Sequence, residues 1–182
     1  MRIISGKYKG RVIDGYDIEG TRPTQDRVKE SLFAMIQEDI VDAVCLDLFA
    51  GTGNLGIEAL SNGASSCYFV DNNQKCIDVL KKNLRNIDSS FYHLFCLDYN
   101  NALNQLIENN IKFDIIFLDP PYHLDCLDEI LNKIEKYDLL NSDGIVICEY
   151  EFENFQGNYS GLELEKNKKY GYKNIRIYRR VQ

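Results

Sequence analysis

The chain has 182 residues with 28 acidic and 21 basic side chains, a net charge of −7, three prolines and no tryptophan. That length suits a single domain with a core that needs no disulfide or metal staple, and the acidic total argues against a general polyanion binder. No apolar run approaches the roughly 20 residues that cross a bilayer, and Met1 to Ser5 lacks a signal-peptide core, so a cytoplasmic protein is expected.

The charge is unevenly spread. Residues 1–11 and 166–182 hold eleven of the 21 basic residues and no acid, leaving ten against all 28 acids between them. Both ends alternate apolar and charged residues as strands do, which predicts folded basic surfaces rather than solvated tails. Cys45, Cys67, Cys76, Cys96, Cys126 and Cys148 form no Cys-x-x-Cys pair and have no nearby His-x-His. They read as small buried hydrophobes of a reducing compartment, and no metal site is expected.

Residues 2–5 and 11–13 flank Gly6-Lys7-Tyr8-Lys9-Gly10, a glycine-bounded basic turn that predicts an N-terminal β-hairpin appendage over residues 1–20. Lys7, Lys9 and Arg11 suit phosphate contact and Tyr8 suits base stacking; an ordinary surface hairpin explains them equally well. Thr24 is a plausible N-cap for a helix through Val28, Leu32, Phe33, Met35 and Ile36. Its exposed amides, with Arg22 just before it, would suit a ligand carboxylate. Strands are predicted at 41–49, 67–70, 91–97, 113–118 and 144–149, with helices at 57–60, 75–87, 102–107 and 127–134 between them. The last of these strands is entered through a turn at Asn141-Ser142-Asp143-Gly144. Such alternation is the mark of parallel βαβ units. Segments 162–165 and 175–178 then flank a second aromatic-basic turn holding Lys168, Lys169, Tyr170, Tyr172 and Lys173, a closing antiparallel hairpin.

Two segments carry the chemistry. The first is Leu46-Asp47-Leu48-Phe49-Ala50-Gly51-Thr52-Gly53-Asn54-Leu55-Gly56, a strand running into a literal G-x-G-x-x-G turn, with Asp71 20 residues after Gly51. This meets the dinucleotide fingerprint, but a carboxylate at Asp47 would repel a pyrophosphate. The same carboxylate suits the ammonium of S-adenosylmethionine. Asp71, followed by Asn72, then suits ribose hydroxyls, and Asp98 suits the adenine amine with Leu97 and Tyr99 near the ring. Each acid is also explicable as a cap of the helix that follows it; three in register are less easily so.

The second segment is Asp119-Pro120-Pro121-Tyr122. An exocyclic amine on a base is a poor nucleophile because its lone pair is delocalised into the ring. A carboxylate and a fixed carbonyl can accept both amine hydrogens and aim that lone pair. Prolines rigidify the loop and add no donor; Tyr122 can stack on the base. His123 is a candidate for the same pocket, His93 reads as packed in a strand, and Glu149 faces either the crevice or solvent. The segment alone does not separate guanine from adenine or cytosine, RNA from DNA, or either from a protein glutamine amide. An NAD-dependent dehydrogenase or a nucleotide-binding module remains open through the glycines.

Nearly end to end, the chain resembles the RsmD-type 16S ribosomal RNA guanine-N2 methyltransferases of bacteria. Met1-Arg2-Ile3-Ile4-Ser5-Gly6 with Lys9-Gly10-Arg11 is similar to the family's start, and Thr21-Arg22-Pro23-Thr24 with 26–33 to its signature upstream of the donor site. Residues 46–53 with 55–61 resemble the donor motif, and 119–122 the catalytic one. Asn62-Gly63 departs from the usual Arg-Gly. The resemblance implies a Rossmann-like class I fold, with a mostly parallel seven-stranded sheet and an antiparallel last strand, in one methyltransferase domain whose core spans 21–182. It implies S-adenosylmethionine held by Arg22, Thr24, Asp47, Phe49, Ala50, Gly51, Thr52, Gly53, Leu55, Gly56, Asp71, Asn72, Asp98 and Tyr99. Asp119, Pro120, Pro121 and Tyr122 become the catalytic set, and Lys7, Tyr8, Lys9, Arg11, Lys168, Lys169 and Lys173 the RNA contacts. The implied substrate is one guanine of 16S rRNA in the small subunit, with ribosomal proteins as candidate parts of that surface.

Overall fold

The computed structural model describes residues 1–15, 22–151 and 155–181, with 22–25 placed by their backbone alone. The strands are β1 (Val44–Asp47), β2 (Ser66–Asp71), β3 (Tyr92–Cys96), β4 (Phe113–Leu118), β5 (Leu140–Tyr150), β6 (Leu162–Tyr170) and β7 (Lys173–Arg180). They form one sheet in the order β3-β2-β1-β4-β5-β7-β6. All neighbours run parallel except β7, which is antiparallel to both β5 and β6. Helices α1 (Arg22–Met35), α2 (Asn54–Ser61), α3 (Gln74–Leu84), α4 (Tyr99–Glu108) and α5 (Leu127–Lys136) complete a doubly covered α/β sheet. Among the described residues no helix is long and apolar enough to cross a membrane.

Apolar residues on both sides of the central strands dictate this layering, because a strand covered on both faces has no polar side to offer. Cys45, Phe117 and Ile147 pack with Leu32, Ile57 and Leu80 on one face. Leu46, Ile116 and Val146 pack with Leu103, Ile130 and Leu131 on the other. The chain builds outward from β1 through β2 to β3, then returns to place β4 on the other side of β1. The resulting switch point between β1 and β4 is where open α/β sheets hold ligands beyond their strand ends.

Several boundaries differ from the sequence expectation for local reasons. β1 starts at Val44 rather than Val41, since Asp42 has φ 61° and Val41 is exposed. The turn expected at Asn141–Gly144 lies inside β5, as an irregularity where pairing with β4 shifts register and Asp143 has φ 62°. Helix α1 begins at Arg22, which puts Thr24 inside the first turn rather than at its cap. A proline in that turn forfeits only an amide that has no helical partner. The final hairpin is longer than expected, and its loop shrinks to Gly171 and Tyr172 between the paired Tyr170 and Lys173.

The N-terminal segment pairs with itself antiparallel across the glycine-bounded turn, over a short span. Arg2 bridges Val12, and the amides of Ile3, Gly10 and Ile13 donate to the carbonyls of Arg11, Ile3 and Met1, while other backbone donors of the segment turn to α2. The amides of Ile4 and Ser5 donate to the Glu58 carboxylate at 3.0–3.1 Å, and those of Lys7 and Tyr8 to the carbonyl and hydroxyl of Ser61. Ser5 Oγ donates to Asn62 Oδ1, so Asn62 helps to hold the arm. Glu58 is fully buried and pairs with buried Lys29 at 2.9 Å, whose ammonium also reaches the Arg2 carbonyl and Asn54. One carboxylate thereby ties the N-terminal arm, α1 and α2 together.

Removing one partner of such a pair leaves an uncompensated buried charge. Glu58→Ala is expected to destabilise the fold by about 3–5 kcal/mol. Urea denaturation measures it, and a change below about 1 kcal/mol would show that Lys29 finds water or another partner.

Candidate active site

At the C-terminal ends of the parallel strands lies one cavity of about 600 Å³, a size that suits a small molecule. The glycine turn after β1 and the Asp-Pro-Pro-Tyr loop after β4 both open into it. The register requires this: Asp47 pairs with Phe117, so the two chains leave adjacent strands at nearly the same level.

The glycines of the turn serve different ends. Gly51, at φ 54°, lines the cavity, and a Cβ there would meet nothing within 4 Å, which leaves the backbone open to a ligand. Gly53, at φ 95°, and Gly56 face inward instead. A Cβ on Gly53 would come within 2.4 Å of Leu80, and one on Gly56 within 2.2 Å of Phe69. Helix α2 can therefore approach β2 only with glycine at 56, whereas Gly53 turns the chain beneath the Leu80 side chain of α3.

Placement divides the residues expected to hold the cofactor. Phe49, Gly51, Asp71, Asn72, Asp98 and Tyr99 line the cavity. Asp47, Ala50, Thr52, Gly53, Leu55 and Gly56 do not; they shape the turn from below. Asp47, expected to face a ligand ammonium, is only 2% exposed and accepts the Gly56 amide at 2.9 Å through Oδ2. Burial, with Asp71 adding to it against the Gly56 hydrogen bond, pushes its pKa up to about 7. The side chains of Arg22 and Thr24 lie outside the described residues.

Asp71 accepts the Gly51 and Asn73 amides at 2.8 Å, one on each oxygen, and so locks the turn while each oxygen keeps a lone pair. Asp98 caps α4 by accepting the amides of Asn100 and Asn101, and these hydrogen bonds hold its pKa below the usual carboxylate value. Cap and cavity wall are thus one residue. Phe49 and Tyr99 rings lie 5.7 Å apart at the same end, tilted by 42° to each other, in a wall that Leu97 shares.

All four residues of the second loop line the cavity. The Pro121 carbonyl accepts the Leu124 amide at 2.8 Å and closes the turn, whereas the Pro120 carbonyl takes no backbone amide among the described residues. Asp119 is half-buried and accepts no hydrogen bond among the described residues. Burial first and the Glu149 carboxylate second push its pKa well above the usual range, with Lys173 opposing them. Tyr122 is 69% exposed, an aromatic face at the rim. His123 does not line the cavity; its ring meets Tyr122 edge-on at 5.7 Å. His93 is exposed and stacks on Tyr68 at 4.2 Å.

Sequence reasoning left Glu149 undecided and placed Lys173 on an RNA surface. The structure puts both in the cavity wall, ion-paired to each other through Glu149 Oε1. Burial works against the Lys173 charge, but Asp119 and Glu149 more than offset it and raise its pKa. Glu151, Tyr150, Asn73, Cys76, Leu124 and Leu127 complete walls that no motif marked. The strand-end position that pointed to Asp71 and Asp98 would have pointed to Glu149 as well. Five carboxylates and one ammonium therefore line the cavity. This environment favours a cationic ligand and disfavours a pyrophosphate.

The expected basic surfaces are smaller than the sequence implies. Arg11 donates to the Asn83 carbonyl, Lys166 to the Met35 carbonyl, Arg179 to Asp39 and Glu165, and Arg180 to Leu140 and Asp138. Arg176 is buried against the rings of Tyr150 and Phe155. Lys7, Lys9, Lys168 and Lys169 are exposed, as is Arg2, and Tyr8 is half-buried against the core beneath the Lys7 ammonium.

A family model described as "Conserved hypothetical protein 95" matches residues 1–179. "Putative rRNA methyltransferase YlbH" of Bacillus subtilis (strain 168) is 38% identical over 182 residues, with 99% of each chain covered. "Ribosomal RNA small subunit methyltransferase D" of Escherichia coli (strain K12) is 35% identical, with 99% of this chain and 90% of that one covered. A solved structure, "Putative methyltransferase yhhF from Escherichia coli", matches with a TM-score of 0.85 at 32% identity, covering 99% of this chain and 97% of that one. With these residues, this sheet order and these relatives, the chain belongs to the RsmD family of methyltransferases.

Proposed function

We propose that this protein transfers a methyl group from S-adenosylmethionine to the exocyclic N2 amine of a guanine in 16S rRNA of the small ribosomal subunit. One observation carries the reading: the Asp119 carboxyl group, which accepts no hydrogen bond among the described residues, and the Pro120 carbonyl share a cavity with the open backbone at Gly51. The relatives named for small-subunit rRNA support the substrate class.

The cavity suits the cofactor on its own chemistry. Its acidic lining matches a ligand that carries a sulfonium and an ammonium, Asp71 retains acceptors for ribose hydroxyls, and Phe49 and Tyr99 offer aromatic faces to a purine. When bound, S-adenosylmethionine supplies a methyl carbon whose bond to sulfur breaks as the amine nitrogen bonds to it, the electron pair returning to sulfur. Asp119 and the Pro120 carbonyl accept the two amine hydrogens and turn the nitrogen lone pair toward that carbon. Orientation of this kind can lower a barrier by several kcal/mol without a strong base. Asp119 then takes the proton that the alkylated nitrogen releases, a transfer that its raised pKa favours. Tyr122 stacks on the base once it leaves its own stack, which offsets part of a cost of a few kcal/mol.

Asp119→Asn should bind S-adenosylhomocysteine as the wild type does in calorimetry, yet lose about 10²–10⁴-fold in methyl transfer to small subunits from cells lacking the enzyme. Loss of homocysteine-analogue binding together with activity would remove Asp119 from the catalytic role. Because Asp119 must be ionised to take the proton that the amine releases and its pKa is raised, the rate should climb with pH through neutrality, long past about pH 4 where an ordinary carboxylate has titrated. A rate already flat from about pH 5 upward would contradict this. The five exposed basic side chains at the two ends predict a salt slope for RNA binding of about −3 to −4 on a log–log plot. If all eleven made contacts, the slope would be about −8.

A further inference from the structure

Beside Asp119, two side chains in the cavity have no part in holding or methylating the amine. Phe117 of β4 pairs with Ile147 of β5, and Glu149 pairs with Ile175 of β7. Two residues further on in phase, Asp119 follows Phe117 and Glu149 follows Ile147, and Lys173 lies two residues from Ile175. Because side chains alternate with a period of two, Asp119, Glu149 and Lys173 share one face at successive strand ends, with neighbouring strands about 4.8 Å apart. Lys173 holds Glu149 through Oε1, and the other carboxylate oxygen has no hydrogen-bond donor among the described residues. A second acceptor therefore stands next to the carboxylate assigned to the amine, clamped by a cation.

We propose that Glu149 is the base-selecting residue, accepting the N1–H of guanine while Asp119 and the Pro120 carbonyl hold its N2 amine. This inference rests on the guanine-N2 reading above. Next to its amine, guanine presents a ring N–H donor on the Watson–Crick edge, whereas adenine and cytosine present a ring nitrogen lone pair. A carboxylate at that position hydrogen-bonds the first and repels the other two. Flipped bases are read through this edge, and a site built around a substrate donor strongly rejects the analogue that lacks it. Lys173 is a positioning residue: it holds Glu149 Oε1 and leaves the other oxygen for the base.

The discriminating probe is 2-aminopurine, which keeps the 2-amine but has a lone pair at N1. Small subunits are reconstituted with RNA carrying guanine or 2-aminopurine at the nucleotide the wild type methylates, and kcat/KM is measured for both. The wild type should prefer guanine by about 10–100-fold, the loss expected for a hydrogen bond to a charged group. Glu149→Gln, whose amide can donate to N1, should shrink that preference by about tenfold or more, chiefly by losing rate on guanine. A folded Glu149→Gln that binds S-adenosylhomocysteine normally and keeps the wild-type preference would overturn the assignment. A wild-type product other than N2-methylguanosine would instead overturn the parent reading, and this one with it. N2-methylguanosine with an unchanged ratio would sink the Glu149 role alone.

Discussion

The register between β1 and β4 is the constraint on which the rest of the molecule depends. Asp47 opposite Phe117 brings two chain segments 70 residues apart to the same height at the switch point of the sheet. From there the glycine turn and the Asp-Pro-Pro-Tyr loop can only open into a shared space. A slip of one residue would turn every side chain of a strand to the opposite face, and both strands are apolar on both sides, so buried shape must set the register. Cys45 and Phe117 on one face, with Leu46 and Ile116 on the other, supply it.

Charge follows the same geometry. Five of the 28 acids surround the cavity, an environment that favours a cation. The basic ends look like RNA surfaces in sequence, but most of their cations stay within the molecule. Arg179 bridges Asp39 and Glu165, Arg180 meets Asp138, and Lys173 closes on Glu149. They hold the antiparallel hairpin to the sheet, and the side chains left exposed form two small basic tips. An acidic protein can in this way serve a polyanionic substrate through local contacts.

Much of the site is legible before folding, for identifiable reasons. Gly51, Asp71, Asp98 and Asp119 sit at strand ends, and an apolar run followed by an acid or glycine marks such a position directly. Asp47 also ends a strand, yet its side chain points beneath the turn, and only the packing of Gly56 on Phe69 shows why. Lys173 could not be placed, since its neighbour Glu149 is brought to it by an antiparallel return that no local pattern encodes. The N-terminal pairing is short for a related reason. The amides of Ile4 and Ser5 are satisfied by Glu58, 53 or more residues away in sequence, so the strand-like pattern pairs only over residues 1–3 and 10–13.

Convergence of the two loops on one reacting atom is the central structural claim, and a crystal structure with S-adenosylhomocysteine bound tests it most directly. The adenine should lie by Phe49, Leu97 and Tyr99, the ribose against Asp71, and the sulfur should face the Asp119 carboxylate and the Pro120 carbonyl across open space. A ligand seated with its sulfur turned away from the β4 loop, or bound outside this cavity, would contradict it.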